Sequence, residues 1–212
     1  MAVLGWNVLF LETEIDMASR DRIGSGAKVG NSMARVSLID EKNHPELSGF
    51  IAKIRGARGR LLNIYRMMLH SPAIASGWFE LNQAVRYGTE VDGQSRELAV
   101  MRVAILNGVD YILRAHGPNY ALKEGLTAAQ VEALADWRSS PLFSDGQRAL
   151  LAYADAMTRD IDVPDAVFAR LRSHYSERQT VELTMLIGAY NMHSRVLKAL
   201  KIDPEPPPDR ER

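Results

Sequence analysis

"RELAVMRVAILNGVDYILRAHGPNYALKEGLT", residues 96–127, decides how the rest of the chain is read. Its first half sets Leu98, Val100, Met101, Val103, Ala104, Ile105 and Leu106 around nearly every face of one helix, with the single acid Glu97 near the start. A helix that is apolar all round is buried all round. Asn107-Gly108 then interrupts the pattern, and a second helical run carries Tyr111, Ile112, Arg114 and His116. Pro118 lacks an N–H and clashes with the carbonyl four residues back, so the chain either kinks or restarts a helix just after His116. Two helices joined by so short a link pack side by side or run on with a kink, and either geometry can bring Glu97 and His116 within hydrogen-bond reach.

The helical reading extends outward from this stretch. From residue 45 on, apolar residues recur at three- and four-residue spacing, as in Leu61, Ile64, Tyr65, Met68 and Leu69. No alternating run is long enough for a strand, so the fold class is all-α. Helices are predicted near 46–56, 60–70, 72–87, 94–107, 110–124, 128–136, 145–159, 165–174 and 177–200. Three carry the same start signal: Thr127 with Gln130, Ser144 with Gln147 and Ser176 with Gln179, pairs whose side chains can satisfy the free amides of a first turn. Pro72 and Pro164 suit first-turn positions, and Gly125 suits a left-handed helix stop. The last helix, "TVELTMLIGAYNMHSRVLKAL" (residues 180–200), is apolar on nearly all faces in its first turns, which predicts burial within the domain or between subunits.

Composition narrows the function. The 212 residues suffice for one domain with a sizeable core. Basic and acidic residues balance at 26 each, leaving no basic field to collect nucleic acid or anionic lipid. There is no cysteine, which removes disulfides, thiolate metal sites and every reaction with a protein thiol as nucleophile or redox centre. The apolar N-terminal run Ala2 to Leu11 has no preceding Lys or Arg and is too short to span a bilayer, so a cytoplasmic protein is expected. Residues 1–32 are expected to be a disordered extension, because a Gly/Ser-rich polar segment leads to Met33, which reads like a natural start of translation. Residues 33–203 form the single domain expected, followed by a polar tail over 204–212. No phosphate-binding glycine loop, nucleophile elbow, HExxH pair or solenoid repeat occurs.

The opening stretch, with "LLNIYRMMLHSPAIASGWFEL" (61–81) and "YSERQTVELTMLIGAYNMHSRVLKAL" (175–200), resembles the carboxymuconolactone decarboxylase family, also called AhpD-like, over roughly residues 45–202. The resemblance implies an AhpD-like helical bundle. In the peroxide-reducing branch a glutamate is followed after twelve residues by a cysteine, three later by a second, and four later by a histidine. Counting from Glu97 sets Val109 and Ile112 in the two thiol positions and His116 in the histidine position. The frame is kept while its reacting sulfurs are replaced, which argues against a peroxidase. The decarboxylase branch also lacks the pair, keeps the glutamate and histidine, and works on a small lactone acid with neither metal nor organic cofactor.

The candidate catalytic residues are therefore His116, as the base that shuttles a proton, and Glu97, which orients the imidazole or relays the proton. If a helix restarts at Pro118, its positive end would help to keep His116 neutral. The structural alternatives are a histidine satisfied by a main-chain carbonyl, and a glutamate that pairs with Arg102 at the surface or is a first-turn acid favoured by the helix dipole. Tyr111 is a candidate oxyanion donor and Arg114 a candidate holder of a substrate carboxylate, with Val109 and Ile112 as apolar substrate contacts. Tyr190, Asn191 and His193, polar in an apolar helix, are expected to make hydrogen bonds between helices or subunits. Trp78, His70 and Tyr65 read as packing. The function expected is a cofactor-free, metal-free decarboxylase or lyase for a small organic acid or lactone. The alternatives are an AhpD-like peroxidase, chemically disfavoured, and a ligand-binding helical oligomer without chemistry. The resemblance also implies a homo-oligomer (dimer, trimer or hexamer), with a small-molecule substrate and neither nucleic acid nor membrane as partner.

Overall fold

The computed structural model describes residues 33–205, and in that span every regular element is helical. The expected extension over residues 1–32 and most of the expected tail lie outside the described residues. Nine α-helices follow in order: α1 (Ser48–Arg58), α2 (Asn63–Met68), α3 (Pro72–Tyr87), α4 (Gly93–Asn107), α5 (Asp110–His116), α6 (Ala128–Ala133), α7 (Asp145–Arg159), α8 (Asp165–Arg172) and α9 (Glu177–Leu200). Helix α4 is the axis of the bundle. It packs against α9, α7 and α5, and its residues from Glu97 to Ala104 are buried without a break. The absence of any polar stripe on this helix, noted in the sequence, has this cause.

The expected cap signals are formed. Thr127, Ser144 and Ser176 each accept from the amide of their glutamine partner, whose side chain reaches back to the cap residue. Gly108 ends α4 at φ 62°, and Gly125 stands at φ 90°, both in the left-handed region that glycine enters at little cost. Pro72 opens α3 as expected, whereas Pro164 sits one residue outside α8 as its cap.

Two expectations change. The predicted helix over 110–124 is α5 followed by a wide π turn, Gly117–Ala121, so no new helix starts at Pro118. A regular turn has no place for a residue without an N–H, and the wider winding absorbs it. His116 therefore lies at the C-terminal end of α5 rather than by a positive helix start. Helix α9 is not buried all round. Leu183, Leu186, Ile187, Tyr190 and Leu197 face the core, while Val181, Met185 and Met192 are 63%, 52% and 40% exposed. Among the described residues no helix is long and apolar enough to cross a membrane.

A buried ion cluster ties α4 to α7. Arg102 grips Asp155 through Nε (2.5 Å) and Nη2 (3.1 Å) and donates to the Leu134 and Ala135 carbonyls, while Trp137 and Arg138 also donate to Asp155. Arg102 is thus committed to Asp155 and is not the partner of Glu97.

Candidate functional site

Glu97 is wholly buried and His116 is 6% exposed. Gly108 turns the chain back so that α5 lies along α4, and His116 Nδ1 comes 2.6 Å from Glu97 Oε2. Burial works to raise the Glu97 carboxyl. The bond from His116 and the guanidinium charges of Arg86 and Arg96 outweigh it and hold the group below its ordinary range, as a carboxylate. Burial lowers His116, and the Glu97 carboxylate offsets this only in part. The imidazole is neutral. With a carboxylate at Nδ1, the ring proton belongs on that nitrogen, and Nε2 is left as an acceptor. Tyr190 Oη, from α9, donates to it over 3.3 Å. Burial raises the Tyr190 phenol, so it keeps its proton.

Nε2 and Tyr190 face a cavity of about 60 Å³ between α2, α3, α5 and α9. Its wall includes Trp78, Arg86, Ile112, Tyr120, Tyr190 and His193. The Arg86 guanidinium lies 4.6 Å from the Tyr120 ring centroid and 5.0 Å from that of Tyr87, and its nearest carboxylate oxygen, Glu97 Oε1, is 3.9 Å from Nη2. Burial works against the Arg86 charge, but the phenols of Tyr190, Tyr87 and Tyr120 and the Glu97 carboxylate favour it, and the group stays cationic. Nε and Nη2 of Arg86 and both ring nitrogens of His193 are enclosed and meet no hydrogen-bond partner among the described residues. Burial pushes His193 down to about 3, with the guanidinium charges of Arg86 and Arg58 adding to the effect. A larger depression of about 360 Å³, lined by Met101, Ile105, Leu113, Leu122 and Val131, brings one ionisable side chain, Glu132, and no acid–base pair. The buried Glu97–His116 pair lies at the smaller cavity.

The remaining candidates divide by helix face. Ile112 and the Tyr111 ring line the cavity wall, but the Tyr111 hydroxyl donates to Glu205, and burial pushes its pKa up. That hydroxyl is not aimed at a ligand. Val109, the cap of α5, is buried in the core rather than on the wall, so only one of the two thiol positions faces the cavity. Arg114 is exposed and absent from the wall. Two residues before His116 on a helix is more than half a turn away, so Arg114 points outward when His116 points in. The cations at the cavity are Arg58 and Arg86. Asn191 bonds Asn107 and Thr158, the interhelical role expected, while its neighbours Tyr190 and His193 belong to the cavity. Trp78 and Tyr65 also line it, with Trp78 edge-on to His193 at 5.1 Å, and His70 donates to the Ser37 carbonyl.

Sequence reasoning missed Arg86, and it expected hydrogen bonds from His193, whose ring nitrogens find none among the described residues. The signal was present in α3, where Trp78, Asn82 and Arg86 follow one another at four-residue spacing and so share a stripe.

A buried glutamate–histidine pair across two adjoining helices, inside an all-α bundle, defines an AhpD-like protein in which the thiols are missing. Residues 72–156 match the model of the carboxymuconolactone decarboxylase family. It is 34% identical over 127 residues to the uncharacterised protein YnjA of Escherichia coli (strain K12), an alignment covering 59% of this chain and 66% of that one, just under two thirds of YnjA. Two solved structures share the fold. A protein of unknown function from Agrobacterium tumefaciens, put forward as the antioxidant defence protein AhpD, matches with TM-score 0.62 and 26% identity over 66% of this chain and 97% of that one. A cysteine-to-alanine variant of the debrominase Bmp8, in complex with 2,3,4-tribromopyrrole, matches with TM-score 0.70 and 20% identity over 82% of this chain and 94% of that one.

Proposed function

We propose that the protein is a lyase of the carboxymuconolactone decarboxylase type, moving a proton on a small organic acid or lactone with His116 as its base and no protein thiol. The observation that carries this is the 2.6 Å bond between Glu97 and His116, buried beside a cavity. Glu97 fixes the tautomer and stabilises the imidazolium when Nε2 takes a proton. In a decarboxylation the bond to the carboxylate breaks, CO₂ leaves, and the electron pair stays on carbon. The proton that fills the vacancy comes from solvent through Nε2. The bond between Nε2 and the Tyr190 hydroxyl is long, so a ligand can replace it.

The non-catalytic alternative is weaker, because His116 is held by a carboxylate and a phenol beside a cavity and not by a main-chain carbonyl. A thiol peroxidase would need a cysteine that the chain lacks. The proposal includes self-association through the outer face of α9. The test is a screen of short acids and lactones for CO₂ release or proton exchange at carbon, followed by His116→Gln. We expect a loss of about 10²- to 10⁴-fold in kcat. Parent-rate turnover by that variant would overturn the proposal.

A further inference from the structure

Arg86 is 6% exposed, yet its Nε and Nη2 have no hydrogen-bond partner among the described residues. Enclosed N–H groups of a cation are costly to leave unmet, and a folded protein carries few of them. The ring centroids of Tyr87 and Tyr120 lie 5.0 and 4.6 Å from the guanidinium carbon. Glu97 Oε1, at 3.9 Å from Nη2, is beyond hydrogen-bond reach, so Nε and Nη2 are left without an acceptor among the described residues. Nε and Nη2 are the two donors of one edge of the planar group, the side-on fork that matches the two oxygens of a carboxylate.

The surrounding charge agrees. Arg58 also lines the cavity, and Arg96 bonds Glu97 at 3.3 Å and Glu124 at 2.6 Å. Arg58, Arg86 and Arg96 thus stand against Glu97 and Glu124, leaving one positive charge uncovered, which a single negative charge would balance. His193 brings two enclosed ring nitrogens without partners to the same cavity, and a neutral imidazole offers one donor and one acceptor. The volume of about 60 Å³ has room for roughly four water-sized groups, which limits the enclosed part to a carboxylate bearing one or two carbons.

We propose that Arg86 is the anion anchor of the cavity, its Nε–Nη2 edge taking the carboxylate of a short organic acid while His193 bonds a further polar atom of the same ligand. This rests on the reading of the cavity as the substrate site, but not on His116 acting as a base. It makes Arg86, which no sequence motif singles out, the residue that selects for an acid and positions it near Nε2.

The experiment is isothermal titration of the intact protein with acetate, with the isosteric neutral acetamide, and with tetrahedral sulfate. Acetate is expected to bind saturably and at least about tenfold more tightly than either. Arg86→Gln is expected to lose at least about tenfold in acetate affinity, and Arg86→Lys, which keeps the charge without the fork, to lose less. Equal affinity for acetate and acetamide, preference for sulfate, absence of saturable acetate binding, or wild-type acetate affinity in folded Arg86→Gln would each overturn the assignment. The contrast among the three probes uses the unaltered protein, so it decides the matter even if the Arg86 variants fail to fold. His116→Gln separates the two proposals. Loss of acetate binding with His116-dependent turnover intact removes the anchor alone, and acetate binding without such turnover removes the lyase alone.

Discussion

At the residue scale the site depends on two histidines that burial keeps neutral, one opposed by a carboxylate and one not. His116 is held below its ordinary value of 6.5 by burial, with Glu97 pulling the other way. Its basic form therefore persists as pH falls through 6.5, and the acid limb of kcat/KM is expected below that value. Glu97→Gln removes the charge that raises His116, so the limb should move further down while the plateau drops; a pH–rate profile of both proteins checks this. His193 has no such partner. In the unfolded chain it takes up a proton near 6.5, in the folded protein only near 3, so acid favours unfolding between these values. The slope from this one group is at most about 1.4 kcal/mol per pH unit. Glu97 acts in the same direction lower down, its stabilising effect present above 4.5 and lost as pH falls through its depressed folded value. Denaturant melts at successive pH values should show stability falling below 6.5, and less steeply in His193→Gln.

At the element scale the sequence was most legible where local chemistry acts alone. Helices α3, α7 and α9 have the expected bounds, because a proline at the first position or a Ser-x-x-Gln box fixes each start regardless of tertiary context. Ser176→Ala removes the oxygen that accepts from the Gln179 amide at 3.1 Å and should cost about 1 kcal/mol, measured by chemical denaturation. The π turn after His116 was not legible. Pro118 announces that a regular helix must fail, but whether the chain kinks, restarts or widens depends on what packs there. The widened turn keeps Tyr120 beside His116, with ring centroids 5.1 Å apart, and over Arg86. The widened turn thus builds one wall of the cavity.

At the scale of the whole molecule, what the sequence conceals is convergence. Glu97 and His116 are 19 residues apart across a single glycine break, and spacing alone suggested the pair. Tyr190 is 74 residues from His116, and Arg86 arrives on another helix; an arginine on an amphipathic helix ordinarily reads as solvated. Only the packing of α9 against α4, and of α3 against α9, reveals that both point inward. The same packing leaves Val181, Met185 and Met192 exposed on α9, with Gly188 between them where an added Cβ would meet open space. Self-association through this face predicts that Met185→Glu lowers the sedimentation coefficient, and a monomer with the parent sequence would count against it.

The far end of the described chain adds a mechanical link. Glu205 accepts from the Asn63 amide at 2.7 Å and from the Tyr111 hydroxyl, so it fastens the segment after α9 to α2 and α5. Tyr111 is also part of the cavity wall. Trimming by a protease ahead of Glu205, or tension from a fused affinity tag, would be transmitted to that wall. A kinetic change after either treatment would then report a loosened strap rather than damage to the reacting groups.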